Sequence, residues 1–364
     1  MNELMLRYRR IALMTGLVAF SLGEFLLPSA VLAAESKPLE LITSPLPISL
    51  SVQPGANVTT DIRVKQSGPD TQHLKVSLMK FGSFGDAGKP KLLDRGPGDD
   101  YFDWVKFDKT TFDAPSNVWQ TVKMTINVPK SAAFGYYFAV VFTRAGDDKA
   151  PAGVNTPTAA VNGGSAVLVL MDAKVPNAKR ELNLASFTAL HRVYEFLPSE
   201  FELKFKNPGN VHIVPHGNIF ISQGKTQVAS LDINDAQGNI LPGSSRLFPL
   251  DWQDGFPHKE KVIQDNKVKM DKNNNPVMHL VWSNGGAGST DVSPHFRFGK
   301  YSAHLFAVYD NGTQDVPMEA TVTFWVIPWR FLLLVLLIVV LIGGGVYAAT
   351  RGAVKGVRKI SGRK

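Results

Sequence analysis

Apolar and polar residues alternate through most of the chain and predict a protein built from β-strands. Residues 122–128 place valine, methionine and isoleucine at every second position. Residues 201–205 repeat the pattern with phenylalanine and leucine, and shorter examples occur at 62–64 and 74–78. A period of two buries one face of a strand and exposes the other, which is typical of antiparallel sandwiches. Outside the termini no long stretch has a helical period, so we predict that the region between the termini is all-β.

One nine-residue pattern occurs twice in this region. Phe134–Phe142 and Phe298–Phe306 both read F-G-x-Y-x-A-x-x-F, 164 residues apart, which is about one domain length. In each copy we expect the glycine to open a strand and the tyrosine to set its packing, as near the penultimate strand of immunoglobulin-like sandwiches. The matched glycines and tyrosines are Gly135, Tyr137, Gly299 and Tyr301. The simplest interpretation is two tandem immunoglobulin-like β-sandwiches, and a chance similarity of two aromatic strands is the alternative.

The boundary between the sandwiches is predicted near Val175–Lys179. Residues 146–164 are rich in alanine, proline, glycine and asparagine. We interpret them as a long loop between the last two strands of the first sandwich, because as a linker they would leave the apolar strand at 166–175 alone. The predicted segments are a signal peptide at 1–33, a first sandwich at 36–176, a second sandwich at 180–326, a transmembrane helix at 331–349 and a basic tail at 350–364.

The uncharged run from Phe331 to Ala349 predicts a single membrane-spanning helix. As a helix it spans roughly 28 Å, close to the thickness of a bilayer's hydrocarbon core. A buried core helix is the alternative, although few soluble core helices are this long without a polar residue. The residues predicted at the outer membrane interface are Trp325, Trp329 and Arg330. The tail has no acidic residue and predicts a cytoplasmic end, and its topology-determining residues are Arg351, Lys355, Arg358 and Lys359.

The N-terminus has the pattern of a secretory signal. Three arginines between positions 7 and 10 precede an apolar stretch at 11–23, and small residues follow at 30–34. We expect cleavage after Ala33, with an uncleaved N-terminal anchor as the alternative. Together the two ends predict a plasma-membrane protein with an extracellular ectodomain.

Charge and cysteine content exclude several classes of function. The formal charge of +8 comes from the targeting and tail segments. The exported part carries equal numbers of acidic and basic residues, so we expect no nucleic-acid partner. The chain has no cysteine, which excludes disulfides, thiol catalysis and cysteine-based zinc sites.

No motif for catalysis, a cofactor or a metal stands out. His212 and His216 lack the helix and the glutamate of a zinc-hydrolase motif, and we interpret them as turn histidines. The oxygen-rich segments 232–239 and 271–275 only partly match calcium loops and also suit hairpin turns. The segment 99–103 has three aspartates beside aromatic residues. We interpret it as a solvated loop, and the alternative is that two of its carboxylates form a catalytic pair for glycan hydrolysis.

Several segments resemble the WxL-interacting cell-surface proteins of Gram-positive bacteria. In the first half these are Pro54-Gly55, then Trp119 ahead of Val128-Pro129, and Gly135-Tyr136-Tyr137. In the second half they are N-P-G-N-V-H-I-V-P-H-G at 207–217 and the P-G-S segment at 242–244. The resemblance implies a peptidoglycan-binding first domain and a host- or partner-binding second domain. No tryptophan starts a W-x-L tripeptide, so the chain would be the anchored partner.

The sequence therefore predicts a non-catalytic surface protein that tethers a cell-wall glycan or a secreted surface protein to the membrane, without a cofactor or metal. No ligand-binding residue is assigned. One alternative is a membrane-bound glycan hydrolase using Asp99–Asp103. Another is a structural subunit of a membrane complex, packed through Gly343–Ala349 on a neighbouring helix.

Overall fold

The computed structural model describes most of the chain from Leu39 onward. The described residues are 39–146, 160–161, 164–254, 256–264, 267–272, 275–282 and 296–361, without the side chains of 160–161 and 352–361. The predicted signal peptide at 1–33 lies outside these residues, as does most of the predicted loop at 146–164.

Strands dominate the described residues, and one long helix follows them, as the apolar pattern predicted. The strands of the first half are β1 (Leu41–Ser44), β2 (Ile48–Val52), β3 (Asn57–Gln66), β4 (Gln72–Phe84), β5 (Lys89–Leu93), β6 (Val105–Phe107), β7 (Thr111–Ala114), β8 (Gln120–Asn127), β9 (Phe134–Arg144), β10 (Ala160–Val161) and β11 (Gly164–Ala173). A 3₁₀ helix, Asp100–Trp104, precedes β6.

The strands of the second half are β12 (Asn183–Ala189), β13 (Val193–Tyr194), β14 (Ser199–Lys206), β15 (His216–Gln223), β16 (Thr226–Asp232), β17 (Ser245–Trp252), β18 (His258–Lys261), β19 (Ile263–Gln264), β20 (Lys267–Val268), β21 (Met278–Val281), β22 (Gly299–Asp310) and β23 (Asp315–Val326). The helix is α1 (Trp329–Ser361).

Each half contains two main sheets with the same strand order. In the first half, one sheet runs β1-β3-β8-β6 and the other runs β2-β11-β9-β4-β5, with β10 and β7 added to β11 and β4. In the second half, β12-β14-β17 and β13-β23-β22-β15-β16 repeat this order, except that β6, β7 and β10 have no counterpart in these two sheets. Even the parallel pairing of β2 with β11 recurs as β13 with β23. The two halves are therefore built on one topology, which supports the internal duplication that the repeated pattern indicated.

Two hydrophobic cores lie between these pairs of sheets. The first takes side chains from β3 and β8 on one side and from β9 and β11 on the other. The alternating residues at 122–128 and 62–64 are all buried within it. The second core takes Phe201, Leu203 and Phe205 from β14 and packs them against β22 and β23. Alternation in the sequence therefore identified the buried face of each strand.

The apolar run at 166–171 belongs to β11, which is buried on both faces. Val167, Val169 and Met171 point into the first core. Ala166 and Leu170 face the other way, into a third cluster that also includes Phe81 and Val141. Leu241 of the second half packs on this cluster. Two-sided burial explains why the run at 166–171 is uniformly apolar, whereas a strand with one solvated face alternates.

The two copies of the repeated pattern lie on β9 and β22, which are equivalent strands in the two sheet orders. Tyr301 is buried in the second core, but Tyr137 lies against the third cluster on the opposite face of its sheet. The expected equivalent packing of Tyr137 and Tyr301 is therefore corrected by the structure.

The reason is that aligning the repeated sequence pattern places β9 and β22 one residue out of structural register. The left-handed residue that opens each strand is Phe134 in β9 (φ 69°) and Gly299 in β22 (φ 114°), so Gly135 is not the counterpart of Gly299. Side chains along a strand alternate between faces, so one residue of offset moves a ring to the other side. The counterpart of Tyr301 is Tyr136, whose ring contacts the first core.

Candidate functional site

The last strand of the second half joins the apolar helix through two residues. β23 ends at Val326 and α1 begins at Trp329. The Ile327 N–H donates to the Tyr194 carbonyl at 2.7 Å, so this link is held by the parallel strand β13. Residues 329–351 form a helix that is long and apolar enough to span a membrane and has no buried part. The structure thus leaves no flexible stalk between the sheet and the candidate span.

The side chains predicted at the outer membrane interface surround this join. Trp325 and Trp329 are 44% and 49% exposed. The Arg330 guanidinium lies over the Trp329 ring at 5.1 Å and 3.5 Å from the Glu195 carboxylate. The second carboxylate oxygen of Glu195 is buried without a hydrogen-bond partner in the described residues. The acid therefore ties the start of α1 to the second half, and the predicted interface role of the three residues stays a prediction.

The tail continues α1 as far as Ser361. Arg351 lies over the Tyr347 ring at 5.8 Å and donates to its hydroxyl at 3.2 Å. The side chains of Lys355, Arg358 and Lys359 lie outside the described ones, so their predicted topological role stays a prediction.

The N-P-G-N and P-G-S segments, separated in sequence, meet around one buried asparagine. Asn207 is fully buried, and its amide donates to the carbonyls of Val211 and Ile240 at 2.8 Å each. Its backbone N–H donates to the Ser244 carbonyl, and its own carbonyl accepts from the Gly243 N–H. An unpaired buried amide would cost about 1–3 kcal/mol, so the need for these bonds explains an asparagine at this turn.

The next residues of that segment fasten the two halves together. His212 and the Asp172 carboxylate of β11 form a hydrogen bond of 3.0 Å through the histidine Nδ1. Arg180, from the link between the halves, lies 3.6 Å from the same carboxylate, which is almost fully buried. Asn210 adds a carbonyl that accepts from the Gly135 N–H at 3.2 Å. His212 is therefore a junction residue, a role that the sequence analysis missed because its partner is 40 residues away.

The described residues of the oxygen-rich segments make the side-chain hydrogen bonds of turns. The Asn234 side chain donates to the carbonyls of Pro215 and Gly238 and accepts from the Gly238 N–H. Asp271 accepts from the Asn275 N–H at 2.8 Å. Within the described ranges no group of three or more metal-ligating side chains occurs. These side-chain bonds suit hairpin turns, the alternative to calcium loops.

Two of the three aspartates in the acidic segment before β6, Asp99 and Asp103, are paired with cations. Burial raises the pKa of the nearly buried Asp99, but the opposing hydrogen bonds from Lys80 at 2.8 Å and from the Gly96 N–H hold that pKa below its usual range. Two hydrogen bonds from Arg95, at 2.6 and 2.8 Å, lower the pKa of Asp103. A general acid in glycan hydrolysis needs a raised carboxyl pKa, so neither carboxylate suits that role.

An exposed strip on the outer face of the first sheet combines an aromatic ring with cations. Trp119, just before β8, is 42% exposed. Arg63 and Lys65 on β3 approach its ring at 5.5 and 5.4 Å. On the same face the hydroxyls of Thr59 and Thr125 lie 3.2 Å apart. We call the surface formed by these five residues the Trp119 strip.

Comparisons with known proteins give only distant similarities. No family model matches the chain, and no curated protein matches it. The class 5 fimbriae chaperone CfaA is 14% identical with a TM-score of 0.36, covering 77% of this chain and 98% of that one.

Two further chaperone structures give similar values. A chain of the CsuC–CsuE chaperone–tip adhesion subunit complex of Acinetobacter baumannii is 11% identical, with a TM-score of 0.33 and coverage of 77% and 97%. The E. coli chaperone DraB is 9% identical, with a TM-score of 0.31 and coverage of 78% and 98%. Similarities this low assign no function to the chain.

Proposed function

We propose that this chain is a membrane-anchored, non-catalytic binding protein of a bacterial cell surface that tethers a cell-wall glycan. The observation that carries the proposal is the join at Ile327, where a folded β-region passes without a stalk into an apolar, unburied helix. Such a join holds the second half at the bilayer and directs the first half away from it.

The Trp119 strip is the surface that best fits a glycan. A flat sheet face with hydroxyls and an exposed indole can stack on sugar rings, and the cations suit an anionic polymer. Neither Arg63 nor Lys65 has an ion-pair partner in the described part of the chain. Their charges are therefore available to a ligand.

Co-sedimentation with insoluble wall material tests the proposal. Full-length protein in nanodiscs is mixed with purified sacculi, and the bound fraction is measured against protein concentration. We expect Trp119→Ala to weaken binding roughly fivefold or more, because removal of a central aromatic contact typically costs 1 kcal/mol or more. Lys65→Glu should weaken binding as well, and more strongly at low salt.

Phe84→Ala is the matched control. Phe84 is also an exposed aromatic residue with a cation, Lys91, at 5.5 Å, but it lies on β4 rather than on the strip. We expect it to bind as the wild type does. Equal binding by the Trp119 variant, or capture of secreted proteins without wall material, would contradict the glycan proposal and favour a protein partner.

We also propose that the two halves are immunoglobulin-like sandwiches and that the chain is related to the WxL-interacting proteins. The first statement is supported by the two sheets that enclose one hydrophobic core in each half, and by the similar strand order of these sheets in the two halves. The meeting of the N-P-G-N and P-G-S segments at Asn207 supports the second, because the motif segments build a single structural unit.

A further inference from the structure

A cavity of about 300 Å³ lies between the two halves, away from the Trp119 strip. The first half contributes the β4–β5 hairpin and β11, and the second half contributes residues 236–246. Its apolar wall comes from both halves and consists of Phe81, Leu168, Leu170 and Leu241. Ligand cavities of this size, apolar with few polar groups, bind small molecules.

Arg246 is one of two cationic side chains that line this cavity, and the other, Lys89, has an interaction partner of its own. The Arg246 Nη1 donates to the Asn239 carbonyl at 2.9 Å, and the Arg246 guanidinium lies over the Phe248 ring at 5.3 Å. Within the described residues no carboxylate pairs with it, and burial lowers its pKa. The Nε and Nη2 atoms of Arg246 make no hydrogen bond within the described part of the chain, and both atoms are accessible to solvent. A half-buried cation with two free donors therefore faces an apolar cavity.

Two glycines, one from each half, leave the space that Arg246 occupies. A Cβ at Gly88 would lie 2.7 Å from the arginine Nε, and a Cβ at Gly238 would lie 2.4 Å from its Cζ. The hairpin that carries Gly88 is fixed to the second half by Asp86. The Asp86 carboxylate accepts a hydrogen bond from Lys204 at 2.6 Å, and the Asp86 backbone carbonyl accepts one from the Leu247 N–H. The arginine is thus positioned by contacts from both halves.

We propose that this cavity binds a small ligand in which an aliphatic body carries one carboxylate, of the class of an N-acylated aliphatic amino acid. The carboxylate accepts from Nε and Nη2 of Arg246, because a guanidinium presents parallel N–H donors that match the two oxygens of a carboxylate. The aliphatic body contacts Phe81, Leu170 and Leu241. This site is separate from the proposed glycan tether and does not rest on it.

Titration of the full-length protein in nanodiscs with N-acetyl-leucine, followed by ligand-observed NMR, tests the proposal. We expect a Kd on the order of 1 mM, given the few heavy atoms of the probe. N-acetyl-leucinamide has the same body without the charge and should bind at least tenfold more weakly. Inorganic phosphate carries the charge without the body and should not displace the probe at equal concentration.

Variants locate the site. Arg246→Gln should weaken binding of N-acetyl-leucine at least tenfold, and Gly238→Ala should do the same by displacing the guanidinium. Arg95→Gln, which removes an arginine paired with Asp103 elsewhere, should leave binding unchanged. Equal binding of the acid and the amide to the wild-type protein would overturn the proposal even if the variants did not fold. Full displacement by phosphate, or unchanged binding by Arg246→Gln, would also overturn it.

Discussion

At the scale of single residues, buried polar groups decide where the chain is held together. Asn207, Asp172 and Asp99 are each almost completely buried, and each has hydrogen-bond partners from a different part of the chain. Burying a polar group is costly unless it is hydrogen-bonded, and burying a charge is costlier still unless it is paired, so each of these positions depends on its partners. Asp99 gives the clearest test because its pKa has a defined direction.

Lys80→Met should destabilise the protein at pH 7 by about 1–3 kcal/mol, because it removes a hydrogen bond to a charged group. The lowered pKa of Asp99 means that its ionised form stabilises the folded state. This contribution is present above the pKa of the unfolded state, near 4, and is lost as the pH falls through the lower pKa of the folded state. Urea unfolding at pH 7 and pH 3, followed by circular dichroism, measures it. The variant should lose less at pH 3 than at pH 7, and an equal loss at both pH values would contradict the role of the ion pair.

At the scale of elements, the repeated strands show how one topology is packed in two ways. β9 is covered on both faces, whereas β22 has one exposed face. The residue types that the two strands share in the repeated pattern therefore lie in different environments. Tyr301 stacks on Phe324 in the second core, whereas the buried Tyr137 hydroxyl lies close to Asp172 and His212, where the two halves meet.

The two tyrosines should therefore respond differently to substitution. Tyr301→Ala should lower the free energy of unfolding by about 3–5 kcal/mol, by analogy with buried phenylalanine. Tyr137→Phe keeps the ring and removes only the hydroxyl, so it should lower the free energy of unfolding by no more than about 1 kcal/mol. Denaturant unfolding of both variants measures these changes. A loss in Tyr137→Phe as large as the loss in Tyr301→Ala would contradict this difference between the two tyrosines.

At the scale of the whole molecule, the order of folded β-region, two-residue link and apolar helix sets the orientation that we propose. The link is too short to act as a stalk, and Arg330 and Glu195 connect its two sides. The basic tail then favours a cytoplasmic end.

Protease added to intact cells should remove the β-region and leave a C-terminal tag protected. The measurement is immunoblotting for tags at both ends of the mature chain, with permeabilised cells as the control. Survival of the folded β-region in intact cells, together with its cleavage after permeabilisation, would show that it lies inside and would reverse the proposed topology.

The sequence by itself determined the strands, their buried faces and the apolar helix. These features are local, because alternation at 122–128 and an uncharged run at 331–349 express the periods of a strand and a helix directly. It also indicated a duplication, through the F-G-x-Y pattern.

Only the tertiary structure decided which strand faces meet and which polar groups pair. It offset the repeat by one residue, made His212 a junction residue through Asp172, and left Arg246 between two glycines at a cavity. Each of these depends on residues distant in sequence that approach only when two sheets or two halves pack. A local pattern carries no information about such approaches, because the same residue types also form ordinary turns and surface positions.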